Sequence, residues 1–165
     1  MTKITLQGNP INTQGSLPEK GTVIHDFSMV KTDLSEVKLS SFSEKFKLLN
    51  IFPSIDTGTC AMSVRTFNKN ATELGSVAVI NLSMDLPFAQ KRFCGAEGID
   101  KVVVASLFRS DFNKYIPLEI VDGPLKGLCS RAVIILNEKN EVVYTEQVSE
   151  IAHEPNYEKA LQVLK

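Results

Sequence analysis

The residues best suited to chemistry lie together in FPSIDTGTC, residues 52 to 60. A buried-looking run, FKLLNIF, ends there, and CAMSVRTFNKNATELG begins there. In the second run, apolar residues fall at 60, 64, 67, 71 and 74, the spacing of one helix face. Cys60 therefore stands at the mouth of a helix, facing the first-turn N–H groups and the positive end of the helix dipole. Both favour the thiolate, the nucleophilic form of a cysteine. The turn fits that use. Pro53 fixes its own φ, Gly58 lets backbone approach closely, and the hydroxyls of Thr57 and Thr59 can donate to a thiolate or a bound oxygen. A second reading uses the same spacing: in phase with Val64, Phe67, Ala71 and Leu74, Cys60 is a small buried hydrophobe.

The elements that must hold this turn are legible as periodicity. FKLLNIF (46–52) and SVAVINLS (76–83) are apolar runs suited to strands buried on both faces, and the helix between them ends at Gly75. Strand, helix, strand is a βαβ unit with parallel strands, so its first turn lies at the carboxyl edge of the sheet, where open α/β folds place ligands. A second helix is expected over 85–94, with Pro87 in its first turn and Gly95 ending it. KVVVASL (101–107) reads as another strand. The stretch 108–130 is loop-rich, with room for one short helix. RAVIILNEKNEVVYTEQV (131–148) is a hairpin around NEKN, and Pro155 opens a last helix with Tyr157, Leu161 and Leu164 as its apolar stripe. The first thirty residues read as short strands, KITLQ and TVIHDFSMV, around the turn-rich GNPINTQGSLPEKG. The order predicts an α/β sheet with helices on both faces.

Totals exclude other classes. The 165 residues carry a net charge of −1, with basic residues scattered, so no stripe exists to neutralise phosphates and nucleic acid is not a partner. No apolar run reaches the ~20 residues that cross a bilayer. The first residues, MTKITLQGNPINTQG, lack an apolar signal core, so a cytoplasmic location and a single domain over 1–165 are the expectations. Three cysteines, without a Cys-x-x-Cys pair or a Cys/His cluster, make neither a disulfide scaffold nor a zinc site. His25 and His153 stand in unrelated segments, which argues against a cysteine hydrolase with a histidine base. Cysteine chemistry here is thiol chemistry.

At this point the sequence is similar to a known family. Pro53, Thr57 and Cys60 reproduce the proline, three residues, threonine, two residues, cysteine motif of the peroxiredoxins. FPSIDTGTC, RFCGAEG (92–98) and PLKGLCSRAV (124–133) resemble the atypical two-cysteine members over nearly the whole chain. The resemblance implies a thioredoxin fold with an N-terminal extension, its central mixed β-sheet flanked by helices. It implies hydroperoxide reduction without metal, flavin or haem. Cys60 then matches the peroxidatic cysteine, Thr57 the threonine that bonds the thiolate and peroxide, Pro53 the proline that shields the pocket, and Arg131 the arginine that completes it. On its own, Arg131 opens a strand after a long loop, as a solvent-facing arginine would; Arg65, Arg92 and Arg109 read as surface residues. Cys94 matches the resolving cysteine, Cys129 is a bystander, the reductant implied is thioredoxin, and the assembly implied is a homodimer.

The implied Cys60–Cys94 disulfide raises a geometric problem. Cys94 lies about nine residues beyond the start of its helix, roughly 13 Å at ~1.5 Å per residue. A disulfide needs Cα atoms within about 7 Å. Two conformations follow: folded with separated thiols, and locally unfolded with the disulfide. A non-catalytic redox sensor using the same pair is the competing reading; it would react once and stop.

Overall fold

The apolar runs form strands with the alternation their sequences demand. In a computed structural model, which describes residues 1–71 and 73–165, nine strands and three helices follow in order: β1 Thr2–Leu6, β2 Asn9–Thr13, β3 Ser28–Lys31, β4 Glu36–Lys38, β5 Phe46–Ile51, α1 Gly58–Ala71, β6 Val77–Ser83, α2 Pro87–Glu97, β7 Val103–Ser106, β8 Ala132–Asn137, β9 Val142–Gln147 and α3 Tyr157–Val163. Seven strands make one mixed sheet in the order β4-β3-β7-β6-β5-β8-β9, and β1 and β2 form a separate hairpin. β5, β6 and β7 run parallel, as the βαβ reading requires, while β8 lies antiparallel to β5. The expected mixed sheet of a thioredoxin-like fold is present.

Successive side chains of a strand point to opposite faces, and the core divides accordingly. Leu49, Ile51, Ile80, Leu82, Ala105 and Ile134 pack on one face. Leu48, Val79, Val133 and Ile135 pack on the other with Phe67 of α1 and Ala160 of α3. Phe93 of α2 joins Val64 of α1 and Val104 of β7 on that second face. All three helices therefore cover one face, where the sequence predicted helices on both. The opposite face is closed by Leu39, Phe112, Ile116 and Leu118, from segments no longer than one-turn 3-10 helices at Leu39–Ser41 and Phe112–Lys114. Pro117, Gly123, Pro124 and Gly127 break any longer helix there.

Three helix boundaries also differ from expectation. α2 continues through Gly95 to Glu97, and Gly98, with φ 65°, supplies the left-handed cap. α1 extends to Ala71, with Glu73 and Leu74 in turn bonds beyond it; position 72 lies outside the described residues. α3 starts one residue after Asn156, whose side chain accepts from the Lys159 amide, and not at Pro155.

The turn-rich opening hides a strand. Gln7 and Gly8 both take positive φ, 50° and 81°, the geometry of a tight hairpin loop, and NPINT pairs back on β1. The hairpin docks through Glu150. One carboxylate oxygen accepts from the Gly8 amide at 2.8 Å and the Thr5 hydroxyl at 3.1 Å; the other accepts from the Ala152 amide at 3.0 Å. These donors hold the Glu150 carboxyl down to about 2, against an ordinary 4.5. A depressed carboxylate adds stability that is complete above its unfolded value and fades as the pH falls through its folded one. Glu150→Gln should thus lower the melting temperature at neutral pH, with the gap to wild type closing between about pH 4.5 and 2. Calorimetry across that range checks it; a gap independent of pH contradicts it.

Candidate active site

β5 ends at Ile51, and the chain turns over the carboxyl edge of the sheet through Pro53–Thr57 into α1. Asp85, just beyond β6, holds this turn: its carboxylate accepts from the Ser54 hydroxyl at 2.8 Å and the Ile55 amide at 2.7 Å. The Ser54 carbonyl accepts from both the amide and the hydroxyl of Thr57, at 3.2 and 3.1 Å. The single proton of the Thr57 hydroxyl thus points back into its own loop. Pro53 is buried and Thr57 exposed.

Cys60 lies in the first turn of α1 and has no exposed surface; Phe52, Ile55, Ala61, Val64 and Phe93 surround it. Its polar partner is Arg131, whose Nη2 donates to the Cys60 Sγ at 3.2 Å. Topology brings the two together. β8 runs antiparallel to β5 with Ala132 opposite Ile51, so the residue preceding β8 lands at the edge where β5 gives way to the turn. Arg131 is 2% exposed, its Nε donates to the Ile151 carbonyl at 2.9 Å, and its Nη1 has no hydrogen-bond partner among the described residues. None of the ion pairs among the described residues involves it. A guanidinium buried without a carboxylate is costly unless some other anion is near. The Cys60 sulfur is the atom that its Nη2 meets.

Arg131 also lines a cleft of about 220 Å³ with Pro53, Thr57 and Thr59, walled by Leu6, Leu125, Leu128 and Ile151. Beneath α1, Asn50 donates to Ser63 Oγ at 3.1 Å and to Asn81 Oδ1 at 2.8 Å, and Ser63 donates to the Cys60 carbonyl at 2.8 Å. Thr59 donates to the Ala152 carbonyl at 2.9 Å.

The other cysteines are free and differently placed. Cys94, half-buried in the last turn of α2, packs at the edge of the cluster that encloses Cys60, and burial pushes its thiol up. Its carbonyl accepts from the Gly98 and Ile99 amides, so the cap of α2 closes on it. Cys129 is fully buried, and burial, with Glu119 and Asp85 nearby, pushes it up to about 12. Of the remaining arginines, Arg65 pairs with Glu97 through two bonds of 2.9 and 3.0 Å, and Arg92 reaches Asp56 at 3.0 Å. They tie α2 to α1 and to the turn, and Arg109 pairs with Glu36 at 3.5 Å. His25 stacks on Tyr115, and His153 is exposed beyond β9. Among the described residues, no group of three or more His, Cys, Asp or Glu is fit to hold a metal ion, and no helix is long and apolar enough to cross a membrane. Sequence reasoning missed Asp85, Glu150 and the Arg65–Glu97 pair.

A thiol bonded to a guanidinium at the head of a helix, on the carboxyl edge of a thioredoxin-like sheet, is the arrangement of a thiol-based oxidoreductase. The Redoxin family model matches residues 19–161. The chain is 50% identical over 164 residues, 99% of each chain, to a thiol peroxidase of Mycobacterium bovis. It superposes on a peroxiredoxin-like protein from Aquifex aeolicus with TM-score 0.93 at 34% identity, over 98% of this chain and 95% of that one. A thiol peroxidase from Chromobacterium violaceum shares the fold, with TM-score 0.89 at 22% identity over 98% and 94%. The chain belongs to the Redoxin family, as a thiol peroxidase, an oxidoreductase that reduces peroxides. The non-catalytic sensor is not favoured.

Proposed function

We propose that Cys60 is the peroxidatic thiol, Arg131 its charge partner and Cys94 the resolving thiol of a thioredoxin-dependent hydroperoxide reductase. The observation that carries this is the 3.2 Å bond from the buried Arg131 to the Cys60 sulfur. The thiolate attacks one oxygen of ROOH; the O–O bond breaks, RO⁻ leaves and takes a proton to become ROH, and Cys60 becomes a sulfenic acid. Charge moves from sulfur to the departing oxygen, and the unpartnered Arg131 Nη1, on a side chain that lines the cleft, is a donor able to meet it. Pro53 shields the reacting pair from water, and Thr57 turns its hydroxyl from Ser54 to the bound oxygen. Leu6, Leu125, Leu128 and Ile151 accept the alkyl part of an organic hydroperoxide.

Cys94 then attacks the sulfenic sulfur, forming Cys60–S–S–Cys94 and releasing water. The helical setting of both residues means that the end of α2 and the first turn of α1 unwind for this step. Unwinding releases the Gly98 cap and the Arg65–Glu97 pair, and it ends the burial that holds the Cys94 thiol up. A dithiol reductant of the thioredoxin type reopens the disulfide. The reading places the protein in the cytoplasm, where dithiol reductants keep such thiols reduced. The assembly in this reading is a homodimer. The hairpin and the 19–161 region act as one domain.

The test is peroxide consumption coupled to thioredoxin, thioredoxin reductase and NADPH. Cys94→Ser is expected to consume one equivalent of peroxide and then stall, and Cys129→Ser to turn over near the wild-type rate. An inactive Cys129 variant beside a fully active Cys94 variant reverses the pairing.

A further inference from the structure

The segment 149–152, between β9 and α3, bonds Arg131 and Thr59 and lines the cleft with Ile151 and Ala152, without containing a reacting group. The Ile151 carbonyl anchors Arg131 through Nε at 2.9 Å, and the Ala152 carbonyl anchors Thr59 at 2.9 Å. On its other side the segment is bound to the hairpin: the Thr5 amide donates to the Ser149 carbonyl at 2.8 Å, and the Ile151 amide to the Thr5 carbonyl at 2.9 Å. Glu150 closes both connections. Its carboxylate gathers the Gly8 amide and Thr5 hydroxyl from the hairpin and the Ala152 amide from its own segment. Leu6, next to Thr5, is a wall of the cleft, and Ile4, Ile11, Ile120 and Ile151 pack behind it.

We propose that Glu150 is a positioning residue of the peroxide site, setting Arg131 through the Ile151 carbonyl and the Leu6 wall through the docked hairpin. The inference rests on the reading of Arg131 as the charge partner of Cys60. Glu150 touches neither the sulfur nor the cleft; it acts through the carbonyl that orients the guanidinium. Reaction with peroxide depends on donor placement, and a 1 Å misplacement can cost about 10²-fold in rate. The three bonds to Glu150 are charge-assisted, and the carboxyl is held near 2, so the tether is intact at any working pH.

The experiment is stopped-flow oxidation of Cys60 by hydrogen peroxide and by cumene hydroperoxide in Glu150→Ala, Glu150→Gln, Arg131→Ala and the Glu150→Ala/Arg131→Ala pair. Glu150→Ala should react with hydrogen peroxide about tenfold or more slowly than wild type, and with cumene hydroperoxide more slowly still, since the Leu6 wall is lost as well. In the Arg131→Ala background the same change should leave the hydrogen peroxide rate unaltered, because the guanidinium it positions is gone. Glu150→Gln keeps one carbonyl acceptor and should fall between; it decides the matter by the same comparison if the alanine variant does not fold. A Glu150 variant within twofold of wild type, or an equal loss in both backgrounds, overturns the inference. If Arg131→Ala itself keeps the wild-type rate, the reading of Arg131 fails instead.

Discussion

Cys60→Ser is expected to abolish peroxide reduction, with turnover falling by about 10³-fold or more. A serine hydroxyl stays protonated beside a guanidinium, and its oxygen does not take up a peroxide oxygen as sulfur does. Neither remaining thiol replaces it. Cys129 is enclosed in the core and pushed up to about 12, and Cys94 is raised by burial and bonded to no cation among the described residues. Exposure to one equivalent of peroxide, followed by mass spectrometry, should leave the variant at its original mass, with no added oxygen and no disulfide. Turnover within tenfold of wild type would move the chemistry to Cys94. The same variant should also be less stable than wild type, because Arg131 keeps its buried charge and loses the sulfur that its Nη2 bonds.

The sequence left two readings of Cys60, a reactive thiol or a buried hydrophobe in phase with Val64 and Phe67. The structure shows the burial of the second reading together with a cation beside the sulfur. The sulfur is enclosed by apolar side chains and bonded to a buried cation, and low polarity strengthens that bond. The helix start was legible because a strand, a proline turn and a 3.6-residue period are local signals. Arg131 was named only by the family resemblance, since on its own it read as a solvent-facing arginine; what brings it to the turn is the pairing of β8 antiparallel to β5, which no local signal announces. The far end of α2 was not legible either, because Gly95 and Gly98 look alike in sequence and only Gly98 has the positive φ of a cap. The missing α-helices on the second face follow from prolines and glycines in 108–130, whose buried Phe112, Ile116 and Leu118 pack with no helix longer than one 3-10 turn. Glu150 bonds Gly8 across 142 positions, and no periodicity announces a contact of that span. Charged residues that organise a site from outside it are the part a single sequence hides.

Arg131 is where stability and activity should part. Because Arg131 has no carboxylate partner among the described residues, Arg131→Met removes a costly buried charge and puts a flexible apolar chain of similar length in its place. The melting temperature should therefore hold or rise. The rate of Cys60 oxidation should fall by about 10²–10³-fold, as when one preorganised donor is taken from a site where charge develops. Arg131→Lys should lie between. An ammonium keeps the charge, but a single point cannot at once hold the Ile151 carbonyl, bond the sulfur and offer a free donor to the cleft, as the Nε, Nη2 and Nη1 of the guanidinium do. Single-turnover stopped flow, without reductant, isolates this step from resolution and recycling. A methionine variant that reacts within threefold of wild type, or one that loses rate only as it loses stability, would mean that the bond to Cys60 shapes the fold and not the reaction.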